Sequence, residues 1–267
     1  MGFVDDVFGH GKAVVGVVHL LPLPGSPRWG GDMGEVLARA EADACALEES
    51  GFDGIIVENF GDAPFARGFA GRGAVAGLAA AGDRVAQAAG VPLGVNVLRN
   101  DALSAVAVAA AVGARFIRVN VHVGAVVADQ GVLEGDAMAT MRAVREMAPG
   151  LRVVADVGVK HATPLAATSL EAQARDAVQR GLASALIVTG QATGSPARPE
   201  DLERVKTAVP ETDVLVGSGV TPETAAATLA ASEGVIVGSA VMRDGKPGGP
   251  VDAGRARDFI RAARAAG

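Results

Sequence analysis

The sequence predicts one closed (β/α)8 barrel, and three observations carry that expectation. Apolar, β-rich runs recur near Ala13, Phe52, Val91, Arg115, Arg152, Ala183, Asp213 and Gly234, with helical periodicity between them. No Pro/Gly/Ser-rich linker divides the 267 residues, a length that suits one large α/β domain. The last two runs, Val214 to Val216 and Val235 to Val237, end in matched small-residue turns, Gly217-Ser218-Gly219 and Gly238-Ser239-Ala240. An open doubly wound sheet is the alternative, but its G-x-G-x-x-G fingerprint is missing after the first run, which continues into PLPGSP. The expected organisation is a single domain over 1–267: an N-terminal segment 1–12, the barrel 13–252 and a closing helix 252–266.

The N-terminal FVDDVFG, with its paired aspartates, reads as a solvated entry segment. The first strand, AVVGVVHL, ends at His19 and enters a long Pro- and Gly-rich loop before a helix that begins near Met33 and closes at Gly51. Val36, Leu37, Ala40, Ala44 and Leu47 recur at helical spacing, so that face packs on the sheet. The second run, GIIVENF, leads into another long loop, and the third, GVNVLRND, places Asn96 inside the strand. In the fourth run, ARFIRVNVHVG, Ile117, Val119, Val121 and Val123 share the parity that meets the helices. Arg118, Asn120 and His122 share the parity that points into the barrel. A third long rim loop, GAVVADQGVLEGDAM, follows. The fifth run repeats the alternation, with Val153, Ala155 and Val157 outward and Asp156, Gly158 and Lys160 inward. The sixth ends in Thr189, Gly190 and Gln191. Between the last two runs Thr221-Pro222-Glu223 opens a helix, and Asp252 caps the C-terminal one.

Composition narrows the function classes. Net charge is −6 with scattered basic residues, so no basic stripe suits nucleic acid. The single Cys45 forms neither an internal disulfide nor a zinc cluster, and reads as a buried, inert thiol. No basic region precedes a long apolar core at the start, Asp6 stands where a myristoylation motif wants Ser or Thr, and Ala102 to Val112 is too short to span a bilayer. The expectation is a soluble, cytoplasmic protein with no membrane segment and a homo-oligomeric state.

The chemistry is expected at the C-terminal ends of the strands. Gly190, Gly217, Ser218, Gly219, Gly238 and Ser239 supply backbone N–H groups and hydroxyls to a phosphate, since nothing bulky blocks an anion there. The bland alternative is that these glycines only permit tight turns. Glu58 and Asp156 are the candidates for proton transfer, because enclosed carboxylates near cations can be tuned to acid or base duty. Lys160 is a candidate oxyanion stabiliser, phosphate partner or Schiff-base former. His19, Asn96, Arg118, Asn120, His122 and Gln191 are expected to bind substrate. Arg118 pairing with Glu58 or Asp156, and the histidines bonding neighbouring loops, are the structural alternatives. No cofactor is expected. A divalent metal on His19, Glu58, His122 and Asp156 is a minor alternative without a supporting H-x-H or H-E-x-x-H spacing.

The motifs HLLPLPGSPRWGG, GIIVENFGDAPF, GVNVLRND, FIRVNVHVGAVVADQG, VKHATPL, ALIVTGQATG, VLVGSGVTPE and GVIVGSA resemble those of the BtpA/SgcQ family, from about Ala13 to about Asp252. The resemblance implies a TIM barrel of the ribulose-phosphate-binding kind. It links one cyanobacterial member to photosystem I biogenesis and a bacterial relative to nucleosidase activity. The matching positions hold Glu58, Asn59, Asp62, Arg99, Asn100, Asp101, Arg118, Asn120, Asp129, Gln130, Lys160 and His161. Together these readings point to an enzyme acting by acid/base chemistry on a small phosphorylated sugar or nucleoside-like ligand, as an isomerase, lyase or nucleosidase. The alternative is a non-catalytic assembly or regulatory factor.

Overall fold

Parallel strands covered on both faces read as continuous apolar runs, and the barrel strands of this chain are almost wholly buried. The computed structural model describes residues 2–159, 161–190 and 195–265. Along the chain the strands are β1 (Ala13–His19), β2 (Gly54–Glu58), β3 (Leu93–Asn96), β4 (Phe116–Val119), β5 (Ala125–Ala128), β6 (Gly131–Glu134), β7 (Arg152–Val157), β8 (Ala162–Pro164), β9 (Ala185–Val188), β10 (Asp213–Val216) and β11 (Gly234–Val237). The helices are α1 (Phe3–Phe8), α2 (Met33–Glu49), α3 (Arg72–Ala88), α4 (Ala102–Val112), α5 (Ala137–Met147), α6 (Leu170–Arg175), α7 (Pro199–Ala208), α8 (Pro222–Ala231) and α9 (Ala253–Arg264).

Eight strands close into a parallel barrel in the order β1-β11-β10-β9-β7-β4-β3-β2, as the alternation of runs predicts. The expected parity holds within the strands. Ile117, Val119, Val153, Ala155 and Val157 face out and pack against the helices with Val36, Ala40, Ala44 and Leu47. Each fully buried Val, Ile or Leu among them contributes roughly 1.5–3 kcal/mol. Val15, Val17, Ile56, Phe116, Val154, Ile187, Leu215 and Ile236 face in and fill the lower barrel. Gly94 makes room there, because a Cβ at that position would strike the Phe116 ring.

Caps end the helices where the sequence places them. The Thr224 hydroxyl accepts from the Thr221 amide at 3.0 Å at the start of α8, and the Asp252 carboxylate accepts from the Arg255 amide at 3.0 Å at the start of α9.

Three expectations need correction. The N-terminal segment is no solvated entry: α1 plugs the bottom of the barrel, with Phe3, Val4 and Val7 buried. Phe3, Phe8 and Phe116 meet edge to face, with centroids 5.6 to 5.9 Å apart. The Val4 amide donates to Asp213 at 2.7 Å, and Arg152 pairs with Asp6 at 2.9 Å. The third rim loop is no irregular loop either. Its VVADQGVL folds as an antiparallel hairpin of β5 and β6, joined by β8 into a three-stranded sheet. Gly131, at φ +96, permits the turn. Lastly, Cys45 is half-buried rather than buried, with its Sγ 3.9 Å from the Ala88 carbonyl.

Candidate functional site

In-register parallel pairing places His19 beside Glu58, Glu58 beside Asn96 and Asn96 beside Arg118, so four consecutive strands carry one inward polar row. All four side chains are buried. Asp156, from β7, completes it. Arg118 donates from Nε and Nη2 to the two Asp156 oxygens at 2.8 and 2.9 Å, and Asn120 Nδ2 donates to the same carboxylate at 2.9 Å. Burial alone would lower the Arg118 pKa, but the charge and hydrogen bonds of Asp156, with Glu58 beyond, raise it. Arg99 is lowered, by burial first, against the opposing pull of Asp156 and Glu58.

Two adjoining cavities open above this row, sharing Glu58, Phe60 and Arg118. The smaller, of about 50 Å³, lies under the turns that follow β10 and β11 and is also lined by His19. The larger, of about 470 Å³, is walled by Arg99, Asn120 and Phe65 and roofed by Asp129, Gln130 and His161. The hairpin turn thus brings its tip over the mouth. The Asn120 Oδ1 atom is buried without a hydrogen-bond partner in a residue of the larger cavity wall.

His19 is held from three sides. Its Nδ1 accepts from the Gly248 amide at 3.0 Å, its Nε2 lies 3.6 Å from Glu58 Oε1, and its ring stacks on Phe60 with centroids 4.1 Å apart.

The structure sorts the expected site residues. Glu58, His19, Arg118 and Asn120 meet at the mouth. Asp156 lines neither cavity: its side chain is fully covered and satisfied by Arg118 and Asn120, so it anchors the cation instead of facing a ligand. Asn96 belongs to the row but lines neither cavity, and its Nδ2 is unpartnered. His122 is not at the mouth. β4 ends at Val119, parity lapses, and Nε2 of His122 donates to the Gly181 carbonyl at 2.7 Å. Lys160 and Gln191 lie outside the described residues.

The expected phosphate ligands divide as well. The Gly217 amide continues the ladder to the Val188 carbonyl at 2.9 Å. The Ser218 hydroxyl accepts from the Gly190 amide at 2.9 Å and donates to the Ser195 carbonyl at 3.0 Å. These groups strap the loops together. The amides of Gly219 and Ser239 donate to no carbonyl among the described residues, and both residues line the small cavity with Gly238.

Several polar motif residues prove to be loop pins. Asn59 accepts from the Leu98 amide at 2.7 Å and donates to Asp62 at 3.0 Å, while Asp62 accepts from the Leu23 amide at 2.7 Å. Asn100 accepts from the Val121 amide at 2.7 Å and donates to the Val121 and Glu134 carbonyls at 3.0 and 3.2 Å. Asp101 caps α4 and accepts from the Ala70 amide at 2.9 Å. Strand parity alone does not reach Arg99, Asp129, Gln130 and His161, which lie on loops and enter only through the motifs. Phe60, Phe65 and Gly248 escape sequence reading, because aromatic and glycine loop residues carry no periodic signal.

Among the described residues no three of His, Cys, Asp or Glu converge on a metal position, and no helix is long and apolar enough to cross a membrane.

A family model described as BtpA family matches residues 10–265. The chain is 46% identical over 249 residues, 93% of this chain and 87% of the relative, to the photosystem I biogenesis protein BtpA of Synechocystis sp.. It is 45% identical over 250 residues, 94% of each chain, to an uncharacterised protein of Pyrococcus furiosus. Among solved structures, tryptophan synthase from M. tuberculosis superposes with a TM-score of 0.62 at 21% identity, covering 97% of this chain and 96% of that one. Phosphoribosyl anthranilate isomerase from Thermus thermophilus gives 0.56 at 14% identity, covering 94% and 98%. These likenesses show the TIM-barrel fold.

Proposed function

The chain belongs to the BtpA family, and from that premise we propose that its barrel mouth is the active site of an enzyme working by acid/base chemistry on a small phosphorylated sugar or nucleoside-like molecule. The observation that carries this reading is the shared wall: Glu58 and Arg118 stand between a small glycine-edged cavity and a larger lidded one. The small cavity suits a phosphate, with Arg118, the Gly219 and Ser239 amides and Gly238 around it. The larger cavity takes the rest of the ligand, where the Asn120 oxygen accepts a hydroxyl or amino proton.

Glu58 is the one carboxylate of the buried polar row that reaches both cavities, so it carries the proton. Arg99 and Arg118 stabilise negative charge that develops on the ligand as the proton or leaving group departs. Isomerisation, lyase cleavage and glycosidic cleavage all fit this division of labour. Lys160 and Gln191 remain proposed as oxyanion support and ligand contact from the sequence pattern alone.

The test is a thermal-shift screen of sugar phosphates and nucleotides, in which a ligand at a hundred times its Kd stabilises by about 2.7 kcal/mol. With a turned-over ligand in hand, Glu58→Gln is expected to lower kcat by roughly 10²–10⁴-fold while keeping ligand binding and melting temperature. Full activity in that variant removes Glu58 as the proton carrier.

A second reading, a non-catalytic assembly factor, is supported by the likeness to the photosystem I biogenesis protein of Synechocystis. It expects mouth substitutions to leave partner binding unchanged, whereas a buried row of polar groups at separate strand ends favours chemistry.

A further inference from the structure

A chain of contacts runs from the outer helix layer to the ring of His19. On α2, Arg39 Nε donates to Asp43 Oδ2 at 2.7 Å, and Asp43 is only 2% exposed. The other Asp43 oxygen accepts from the Val251 amide at 2.8 Å, and Arg39 Nη2 reaches the Gly248 carbonyl at 3.5 Å. Both ends of the segment 248–251, in the loop after the eighth barrel strand, are therefore fastened to one helix. At its other face the Gly248 amide donates to His19 Nδ1 at 3.0 Å. Glycine suits this place on two counts. Its φ is +82, and an added Cβ would sit 3.3 Å from the Phe60 ring that stacks on His19.

A ring nitrogen that accepts from an amide carries no proton, so the proton of the neutral imidazole is on Nε2, which points to Glu58 and the small cavity. We propose that Arg39 and Asp43 are positioning residues: they hold the loop so that Gly248 fixes His19 as the Nε2-protonated tautomer, a hydrogen-bond donor to the ligand's anionic group beside Glu58. The donor step rests on the reading of the mouth as an anion site; the positioning chain does not. His19 is then a donor that supports Glu58, not a second base. Burial pushes the Asp43 carboxyl up against the opposing pull of the Val251 amide and Arg39, so this anchor depends on the partners it holds.

The experiment uses the whole chain with ¹⁵N-labelled histidine, whose four residues are resolved by long-range proton–nitrogen correlation and assigned with His19→Gln. At neutral pH His19 is expected to show a protonated Nε2 and an unprotonated Nδ1. A proton on Nδ1, or an average of two tautomers, overturns the proposal with no variant needed. In Asp43→Ala, and in the milder Arg39→Met, His19 is expected to shift to averaged tautomers while helical content is unchanged. A wild-type His19 pattern in either folded variant removes Arg39 and Asp43 from the chain. Addition of inorganic phosphate is expected to move the His19 Nε2 resonance. A correct tautomer that does not respond overturns the donor step and the anion reading together, and leaves the Arg39–Asp43 chain to be judged by its own variants.

Discussion

Two inward carboxylates one strand-row apart have opposite fates, and only their partners decide which. Asp156 receives three hydrogen bonds from Arg118 and Asn120 and is closed off from the mouth. Removing its charge in Asp156→Asn leaves the buried Arg118 guanidinium with only the more distant Glu58 to balance it, a loss of about 3–5 kcal/mol. The expected outcome is a clear drop in the denaturant midpoint with or without ligand; a variant as stable as the parent would show that the pair is not holding Arg118. Sequence parity places Asp156 inward correctly but carries no information on which side chain lies across the barrel, so its saturation is invisible before folding. His122 shows the complementary limit. Parity points it inward, yet the strand has ended, and the imidazole turns to Gly181. Burial lowers its pKa from the ordinary 6.5, against the small opposing pull of the Gly181 hydrogen bond. The unfolded chain therefore takes up the proton first. The stability His122 contributes is full above about pH 6.5 and is lost as pH falls below it toward the folded value. Urea midpoints at pH 7.5 and 5.5 should separate more for the parent than for His122→Gln; equal separations would sink the assignment.

At the scale of elements, polar motif residues divide into those that face the ligand and those that aim the loops. Asn100, at φ 108, fastens the third barrel connection to the start and end of the lid through Val121 and Glu134. Its three bonds replace backbone partners that the hairpin's departure from β4 leaves over. Asn100→Ala strands the Val121 amide and is expected to cost about 1–3 kcal/mol. It should also raise hydrogen exchange across 121–134 while the barrel strands keep their protection; uniform protection in the variant would deny the pin. The lid is partly legible, since two short apolar runs flank the Asp129-Gln130-Gly131 turn, but a loop of that length beside a barrel strand reads as irregular when no partner strand is known. The partner is β8, three residues from a segment that gives no strand signal of its own.

Across the whole molecule the barrel is apolar below and polar above, and its lower opening needs a stopper. The alternation of buried runs makes the closed sheet readable, because the barrel strands are apolar along most of their length and turn polar mainly toward their C-terminal ends. The stopper is not legible in the sequence, although Phe3, Val4, Val7 and Phe8 recur at helical spacing, because two aspartates in six residues point to solvent and α1 is too short to hold itself together away from the barrel. Its stability is tertiary: Phe3 packs edge to face on Phe8 and Phe116, Val4 is bonded to Asp213, and Asp6 is paired with Arg152. Phe116 in turn occupies the space that Gly94 leaves inside the barrel, so the plug and the inner core are one packed unit. Phe3→Ala is expected to destabilise the fold by about 3–5 kcal/mol, which for a chain of this size lowers Tm by on the order of 10 °C. The polar mouth lies at the opposite end of the strands, so ligand affinity measured well below the transition should be unchanged. A variant that melts with the parent would show α1 to be an ornament on an already closed barrel; one that loses ligand affinity while still folded would show the two ends of the strands to be coupled.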